Sequence, residues 1–200
     1  MSETKIIDER IAITQYEPEF ERLLQEYIAL NVTSGLEIGS YFGYSLHHWL
    51  YYSSKEATMV SIDLPISDFC GKQDPRVPIQ EYAIANEWKL WTKRNKNKLY
   101  LIQSASQLES TKQEAIKLNQ EKPFDFVFID GDHRYEAVKK DFEMYSSMVR
   151  PGGIVALHDI GYAEEGGVHS YWDSIKNDFK HLELRLHPKN EKGIGIVYIQ

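Results

Sequence analysis

The sequence predicts a doubly wound α/β fold with a mostly parallel, seven-stranded sheet. Short apolar segments alternate with segments of helical periodicity along most of the chain, and this alternation is typical of parallel β-α-β units with helices on both faces of a sheet. The last two apolar segments, "LELRLH" and "GIGIVYI", are separated only by the turn-forming "PKNEKG". They predict an antiparallel hairpin, because parallel strands need a longer crossover connection.

Five strands and six helices are expected before the hairpin. The strands are short apolar runs, in order "GLEIG", "TMVSIDL", "LYLIQSA", "FDFVFID" and "GGIVALHD". The helices have apolar residues three or four positions apart, in order "YEPEFERLLQEYIAL", "YSLHHWLYY", "IQEYAIANEWKLWTKRNK", "LESTKQEAIKLNQE", "YEAVKKDFEMYSSMV" and "VHSYWDSIKNDFK". Pro151 and the two glycines after it mark the start of the fifth strand, since proline does not continue a helix.

A single domain over residues 1–200 accommodates these elements. Within it we expect an N-terminal helical segment over residues 1–33 and a lid-like insertion over residues 65–98. The insertion begins with the proline-rich "PISDFCGKQDPRVP", which predicts a loop. Its aromatic residues favour either a wall for a ring-bearing or acidic substrate or the buried face of an amphipathic helix; they are Phe69, Tyr82, Trp88 and Trp91. A later loop, "GYAEEGGVHSYW", carries Glu164 and Glu165, either near the site or as solvated charges.

Composition narrows the class of protein. A net charge of −7 argues against nucleic acid as a partner, because phosphate backbones bind basic faces. The single cysteine, Cys70, fits a reducing compartment. No apolar run approaches the ~20 residues that span a bilayer, and "MSETKIIDER" lacks the apolar core of a signal peptide. We therefore expect a cytoplasmic protein with a small-molecule partner and no membrane contact, and the sequence leaves a homo-oligomer open.

Polar residues follow each of the five parallel strands. They are Glu37, Gly39 and Gly43 after the first, Asp63 after the second, Ser104, Ser106 and Gln107 after the third, Asp130, Asp132 and His133 after the fourth, and His158 and Asp159 after the fifth. Open α/β sheets bind ligands outside the carboxyl ends of their strands, so the fold brings this row to one edge. Each residue alone has a plainer interpretation: Asp132 equally fits a helix cap, and the glycines fit a tight turn.

The first of these loops, "EIGSYFGYS", distinguishes between nucleotide ligands. Dinucleotide-binding folds have G-x-G-x-x-G, in which glycine lets the backbone approach the pyrophosphate, whereas Tyr41 stands here at the second glycine. An adenosyl ligand without phosphates does not need that approach. Asp63 would accept from its ribose hydroxyls, and Glu37 would attract an ammonium group.

The segments "LEIGSYFGYS", "SIDL", "QSASQ", "FDFVFIDGDHRY" and "PGGIVALHDI" together resemble the class I S-adenosylmethionine-dependent methyltransferases, in particular the catechol and caffeoyl-CoA O-methyltransferase type, over residues 30–160. The resemblance implies a Rossmann-like fold. It also implies roles for individual residues, in chain order: Glu37, Gly39, Tyr41 and Ser45 around the methionine part of the cofactor, Asp63 on the ribose, Ser106 and Gln107 on the adenine, and Asp130, His158 and Asp159 as ligands of magnesium or another divalent cation.

Two departures from the family pattern concern the chemistry. His158-Asp159 replaces the usual Asp-Asn, which weakens the case for magnesium because that ion prefers oxygen ligands. His133 stands in the place of the lysine that accepts the substrate proton, and histidine suits that role near neutral pH. The sequence thus predicts an enzyme that methylates a small-molecule hydroxyl, with Asp130 and His133 as catalytic residues. It leaves open whether a divalent cation assists or whether His133 acts without a metal, alone or with Asp132 orienting its ring.

Three alternatives remain at this point. A methyltransferase of the same fold would act on an amine or a sugar. A nucleotide-binding module would keep the fold without catalysis, although pure binding does not need the cluster around His133. A nicotinamide oxidoreductase is disfavoured by Tyr41 in the first loop.

Overall fold

The computed structural model describes residues 15–161, 166–189 and 191–200. Its strands are β1 (Ser34–Ile38), β2 (Thr58–Asp63), β3 (Lys98–Gln103), β4 (Phe124–Ile129), β5 (Val149–His158), β6 (Lys180–Leu184) and β7 (Ile194–Tyr198). Its α-helices are α1 (Glu17–Ala29), α2 (Tyr44–Tyr52), α3 (Ile66–Cys70), α4 (Val77–Tyr82), α5 (Trp88–Trp91), α6 (Glu109–Leu118), α7 (Tyr135–Ser146) and α8 (Val168–Ile175). A π-helical turn, Ala83–Glu87, joins α4 to α5, and a 3₁₀ turn, Lys176–Asp178, follows α8.

Some sequence predictions concern parts of the chain outside the described residues. These are the loop acids Glu164 and Glu165, residues 1–14 of the N-terminal segment, and the side chain of Phe69. No described helix combines the length and the apolar character needed to cross a membrane.

The seven strands form one sheet in the order β3-β2-β1-β4-β5-β7-β6. The first five are parallel, and β7 runs antiparallel between β5 and β6. The predicted fold class is therefore confirmed. The strand order reverses between β1 and β4, and in such sheets the crevice at the point of reversal is where ligands bind.

Helices cover both faces of the sheet. This explains why apolar and polar residues do not alternate in the sequence of β4. Val127 and Ile129 pack in a core with α6, α7 and α8, whereas Phe126 and Phe128 pack in a core with α1, α2 and α5. Because both faces are covered, all six residues of β4 are buried. A strand buried on both sides reads as a continuous apolar run.

Residues 65–98 pack against the loop after β1. The structure adds the short helix α3 where the sequence predicted only a loop, and Ile66 in it is fully buried against Phe42. Gln80 Nε2 donates to the Tyr41 carbonyl at 3.2 Å, and Trp88 Nε1 donates to the Phe42 carbonyl at 3.2 Å. Trp88 is buried in the core, so at this position the amphipathic-helix interpretation is the correct one.

A buried acid on the first helix fastens the hairpin at the other end of the chain. Glu19 has no exposed surface. Its carboxylate accepts from the backbone amides of Leu186 at 2.5 Å, His187 at 2.9 Å and Gly193 at 2.9 Å. These amides belong to the connection between β6 and β7, so α1 holds that connection beside the carboxyl edge of the sheet.

Glu19→Ala is expected to lower the free energy of unfolding by about 2–4 kcal/mol, because one buried and two partly buried amides lose their acceptor. Urea denaturation followed by circular dichroism measures the change. Glu21→Ala, at an exposed position of the same helix, is the matched control and should change stability by less than about 0.5 kcal/mol. Equal effects of the two substitutions would contradict the assigned role of Glu19.

Candidate active site

The loop after β1 passes between the ends of β2 and β4. The Gly39 amide donates to the Ile62 carbonyl at 2.9 Å, and the Asp130 amide donates to the Ile38 carbonyl at 2.9 Å. Gly39 has a φ of +84°, which disfavours other residues, and a Cβ placed there would collide with the backbone carbonyl of Asp130. The loop therefore runs directly against the strand end that carries Asp130.

Glu37 lies beneath this loop. It is fully buried, and it accepts hydrogen bonds from Ser40 Oγ at 2.7 Å and from Trp49 Nε1 at 3.0 Å. Burial raises the pKa of Glu37 to about 7, although Ser45, Ser40 and Trp49 oppose this shift. Its side chain lines neither of the two cavities described below, so its contacts hold the loop from inside.

The larger of two adjoining cavities has a volume of about 500 Å³ and lies at the ends of β1 to β4. This size falls within the usual range for small-molecule sites. Asp63, Ser106, Gln107 and Gly131 are among its lining residues. Three strand ends that are distant in the sequence thus meet around one space, as the sequence predicted.

Asp63 is the acid of this larger cavity. The Tyr41 amide donates to its Oδ2 at 2.6 Å. Burial nevertheless raises the pKa of Asp63 to about 6, with backbone hydrogen bonds opposing the shift. The group is therefore mostly charged at neutral pH, and as a carboxylate it can accept hydrogen bonds from a ligand in the cavity.

The smaller cavity, of about 290 Å³, shares Gly39, Tyr41 and Asp130 with the larger one. Its other lining residues include Ser45 at the start of α2, His133 after β4, and His158 and Asp159 at the end of β5. A ligand bound in both cavities would therefore pass along the shared wall.

Two imidazoles face two carboxylates in the smaller cavity. His158 Nδ1 lies 3.0 Å from Asp130 Oδ1 and 3.3 Å from Asp159 Oδ1. His133 Nε2 lies 3.4 Å from Asp159 Oδ2 and 3.7 Å from Asp130 Oδ1. His158 is buried, whereas the His133 side chain is 58% exposed, so only His133 is open to an incoming molecule.

The electrostatics of this cluster are strongly coupled. Burial alone would raise the pKa of Asp130, but the imidazoles of His158 and His133 hold that pKa well below its usual range. Burial likewise opposes charge on His158, yet Asp130 and Asp159 raise the pKa of His158 to about 10. The interaction with Asp130 also raises the pKa of His133.

The ligand atoms of Asp130, His133 and Asp159 lie within 4.8 Å of one another, a spacing suited to a metal ion. This group contains His133 where the sequence predicted His158. Within the described part of the chain, both ring nitrogens of His158 and Oδ1 of Asp159 are buried without an aligned hydrogen-bond partner. Unpartnered buried polar atoms are costly, and a cation between the carboxylates would satisfy the Asp159 oxygen.

Two residues of the smaller cavity had no signal in the sequence. Gln15 Nε2 donates to Asp130 Oδ2 at 2.8 Å, and Lys192 Nζ lies 3.8 Å from Asp159 Oδ1. Both line the cavity. They approach only because α1 and the β6–β7 connection fold over the edge of the sheet.

Asp132, by contrast, accepts from the Arg134 amide at 3.0 Å and pairs with its guanidinium, which is a local turn contact.

Comparisons with known proteins agree with this geometry. A family model described as a methyltransferase domain matches residues 36–160. The chain is similar to an O-methyltransferase of Bacillus cereus solved in complex with SAH, with a TM-score of 0.62 and 16% identity over 92% of this chain and 81% of that one. It is also similar to the O-methyltransferase TomG of Streptomyces achromogenes, solved with SAM, with a TM-score of 0.57 and 15% identity over 95% of this chain and 82% of that one.

One curated relative matches in sequence, but its own function is uncharacterised. It is an uncharacterised protein of Sinorhizobium fredii, 36% identical over 92 residues, which make up 46% of this chain. The chain matches only 10% of that relative's length.

Proposed function

The chain belongs to the methyltransferase domain family, and from this premise we propose that it transfers a methyl group from S-adenosylmethionine to the oxygen of a small-molecule hydroxyl. The observation that carries the proposal is the junction of the two cavities at Gly39, Tyr41 and Asp130. A nucleoside in the larger cavity and an acceptor in the smaller one would meet there. Transfer requires such a meeting, with the reacting atoms about 3–3.5 Å apart and in line.

The larger cavity fits the adenosine part of S-adenosylmethionine. In this proposal Asp63 accepts hydrogen bonds from the ribose hydroxyls, and Ser106 and Gln107 contact the adenine. Gly39, Tyr41 and Ser45 bind the methionine part where the two cavities join, while Glu37 supports them from below the loop. S-adenosylmethionine supplies an electrophilic methyl group on its sulfonium.

The insertion over residues 65–98 completes this arrangement as a lid-like cover on the cofactor loop. Its support is the pair of hydrogen bonds that Gln80 and Trp88 donate to the carbonyls of Tyr41 and Phe42. These contacts fix the loop backbone from its outer side, opposite Glu37.

His133 is the group that accepts the proton of the acceptor hydroxyl. It is the more exposed of the two imidazoles in the smaller cavity, and Asp130 and Asp159 hold its ring from behind. Removal of the proton makes the oxygen a better nucleophile toward the methyl carbon, and such general-base assistance typically contributes about 10²- to 10⁴-fold.

In this proposal a divalent cation would bind between Asp130 and Asp159, with His158 Nδ1, which lies 3.0 and 3.3 Å from their oxygens, completing the set and His133 left free to accept the proton. The mixture of oxygen and nitrogen ligands favours a first-row transition metal over magnesium. When bound, the cation would stabilise negative charge on the acceptor oxygen. The chain would then need the metal for O-methylation.

Two measurements test the proposal. Calorimetry with S-adenosylmethionine and NAD in parallel, with and without EDTA, should show binding of the first ligand only. Incubation with S-adenosylmethionine and a panel of phenols, sugars and amines, followed by mass spectrometry, should give methylated phenols and lose this product with EDTA. Methylation of amines alone would favour the N-methyltransferase, and binding of NAD in place of S-adenosylmethionine would overturn the proposal.

The charge of Asp63 should make the affinity for the cofactor depend on pH. Its carboxyl group has a pKa raised to about 6, so it gains a proton as the pH falls through that value and no longer carries the charge that binds the ribose. Affinity for S-adenosylhomocysteine should therefore be about tenfold weaker near pH 5 than near pH 7.5. Asp63→Asn should bind more weakly at every pH and show a smaller pH dependence, because the buried acids Glu37 and Asp141, with pKa values of about 7 and about 6, still titrate in this range. Calorimetry at several pH values measures both, and an unchanged slope in the variant would assign the effect to another group.

A further inference from the structure

Asp141 is a buried acid that the proposed reaction does not use. It lies on α7, has no exposed surface, and does not line the larger cavity. Removing a carboxylate from water is costly unless hydrogen bonds compensate it. Its partners are the two residues assigned to the adenine: Gln107 Nε2 donates to its two oxygens at 3.0 and 2.9 Å, and Ser106 donates through its hydroxyl.

These contacts determine which end of the Gln107 amide faces the ligand. An amide has a donating NH₂ group at one end and an accepting oxygen at the other, whereas a carboxylate only accepts. Asp141 therefore binds the NH₂ end of Gln107. Gln107 also lines the larger cavity, and its Oε1 makes no hydrogen bond with the described residues, so the accepting end remains for a ligand.

A second contact holds the same loop in place. Tyr145, one turn further along α7, donates from its hydroxyl to the Ser106 carbonyl at 2.8 Å. Burial raises the pKa of Asp141 to about 6, with Ser106 and Gln107 opposing the shift. Above that pH the group is a carboxylate that accepts on both oxygens. Helix α7 thus fixes both the backbone and the side chains of the loop after β3.

We propose that Asp141 is a positioning residue that orients the Gln107 amide and thereby makes the larger cavity select a 6-amino purine over a 6-oxo purine. The inference rests on the proposed function and adds the source of its base specificity. Adenine offers an exocyclic N–H to the Gln107 oxygen, whereas hypoxanthine offers a second oxygen. Two acceptors facing each other leave both groups without a partner, which typically reduces affinity about 10- to 100-fold.

The test compares S-adenosylhomocysteine with S-inosylhomocysteine by calorimetry near pH 8. The wild-type chain should prefer the adenosyl ligand about 10- to 100-fold. In Asp141→Asn the neighbouring amide can donate as well as accept, so Gln107 is free to turn and the preference should fall to about threefold or less. Glu143→Gln, at an exposed position of the same helix, should keep the wild-type preference.

Each outcome has a distinct meaning. A folded Asp141→Asn variant with the wild-type preference overturns the proposal, and so does a wild-type chain that binds both ligands equally. Asp141→Ser removes the carboxylate without adding a second amide, and it answers the same question if the asparagine variant does not fold. If neither ligand binds the wild-type chain, the proposed methyltransferase function fails instead.

Discussion

Replacement of His133 by alanine should lower the turnover number for methyl transfer about 10²- to 10⁴-fold, because the acceptor hydroxyl loses the group that takes its proton. Affinity for S-adenosylhomocysteine should remain close to that of the wild-type chain, since the imidazole lines only the smaller cavity. Single-turnover measurements with the acceptor found in the panel, together with calorimetry, separate the two quantities.

The control for this substitution is His181→Ala. His181 is exposed on β6, away from the carboxyl edge of the parallel strands, and its loss should leave both quantities unchanged. A large loss of cofactor affinity in the His133 variant would mean that His133 belongs to the cofactor site. Unchanged turnover would exclude it as the base.

Gly39→Ala should abolish measurable binding of S-adenosylhomocysteine and lower the free energy of unfolding by about 2–5 kcal/mol. Part of the cost, about 1–2 kcal/mol, comes from the positive φ. The remainder comes from the collision of the new methyl group with the Asp130 carbonyl. Relief of that collision must move either the loop after β1 or the end of β4 that carries Asp130.

Gly71 offers a matched control for this prediction. Its φ of +86° resembles the +84° of Gly39, but a Cβ at Gly71 would meet nothing within 4 Å. With a ψ of 155°, Gly71 occupies a region that is essentially restricted to glycine, so Gly71→Ala should lower stability through the backbone alone and should leave ligand binding intact. Chemical denaturation and calorimetry on the two variants measure the difference, and equal losses of ligand affinity would show that the contact with Asp130 is unimportant.

Local patterns were sufficient to predict most of the regular elements, although not the short helix α3. The predicted helix "YSLHHWLYY" matches α2 from its first residue to its last. Gly43 precedes it in the left-handed region, and Ser53, whose backbone is extended, follows its last residue. The strands are short continuous apolar runs and the helices have apolar residues three or four positions apart, so their order, and with it the gathering of Asp63, Asp130 and Asp159 at one edge, followed from the sequence. The family match over residues 36–160 confirms the resemblance found in the motifs.

Contacts between distant segments could not be predicted from the sequence. Glu19 and Asp141 lie on helices whose other charges face solvent, and nothing local distinguishes a buried acid from an exposed one. The partners of Glu19 are 167 to 174 residues away. Which histidine, His133 or His158, groups with Asp130 and Asp159 likewise depends on how two loops turn, which strand-end spacing does not fix.

The wall shared by the two cavities has a consequence for inhibitor chemistry. Under the proposed function, a single molecule in which an adenosyl group is joined by a short linker to a hydroxylated ring would occupy both cavities at once. Its second half would bind intramolecularly, at an effective concentration set by the linker. A linker only a few bonds long suits two cavities that share Gly39, Tyr41 and Asp130 as lining residues.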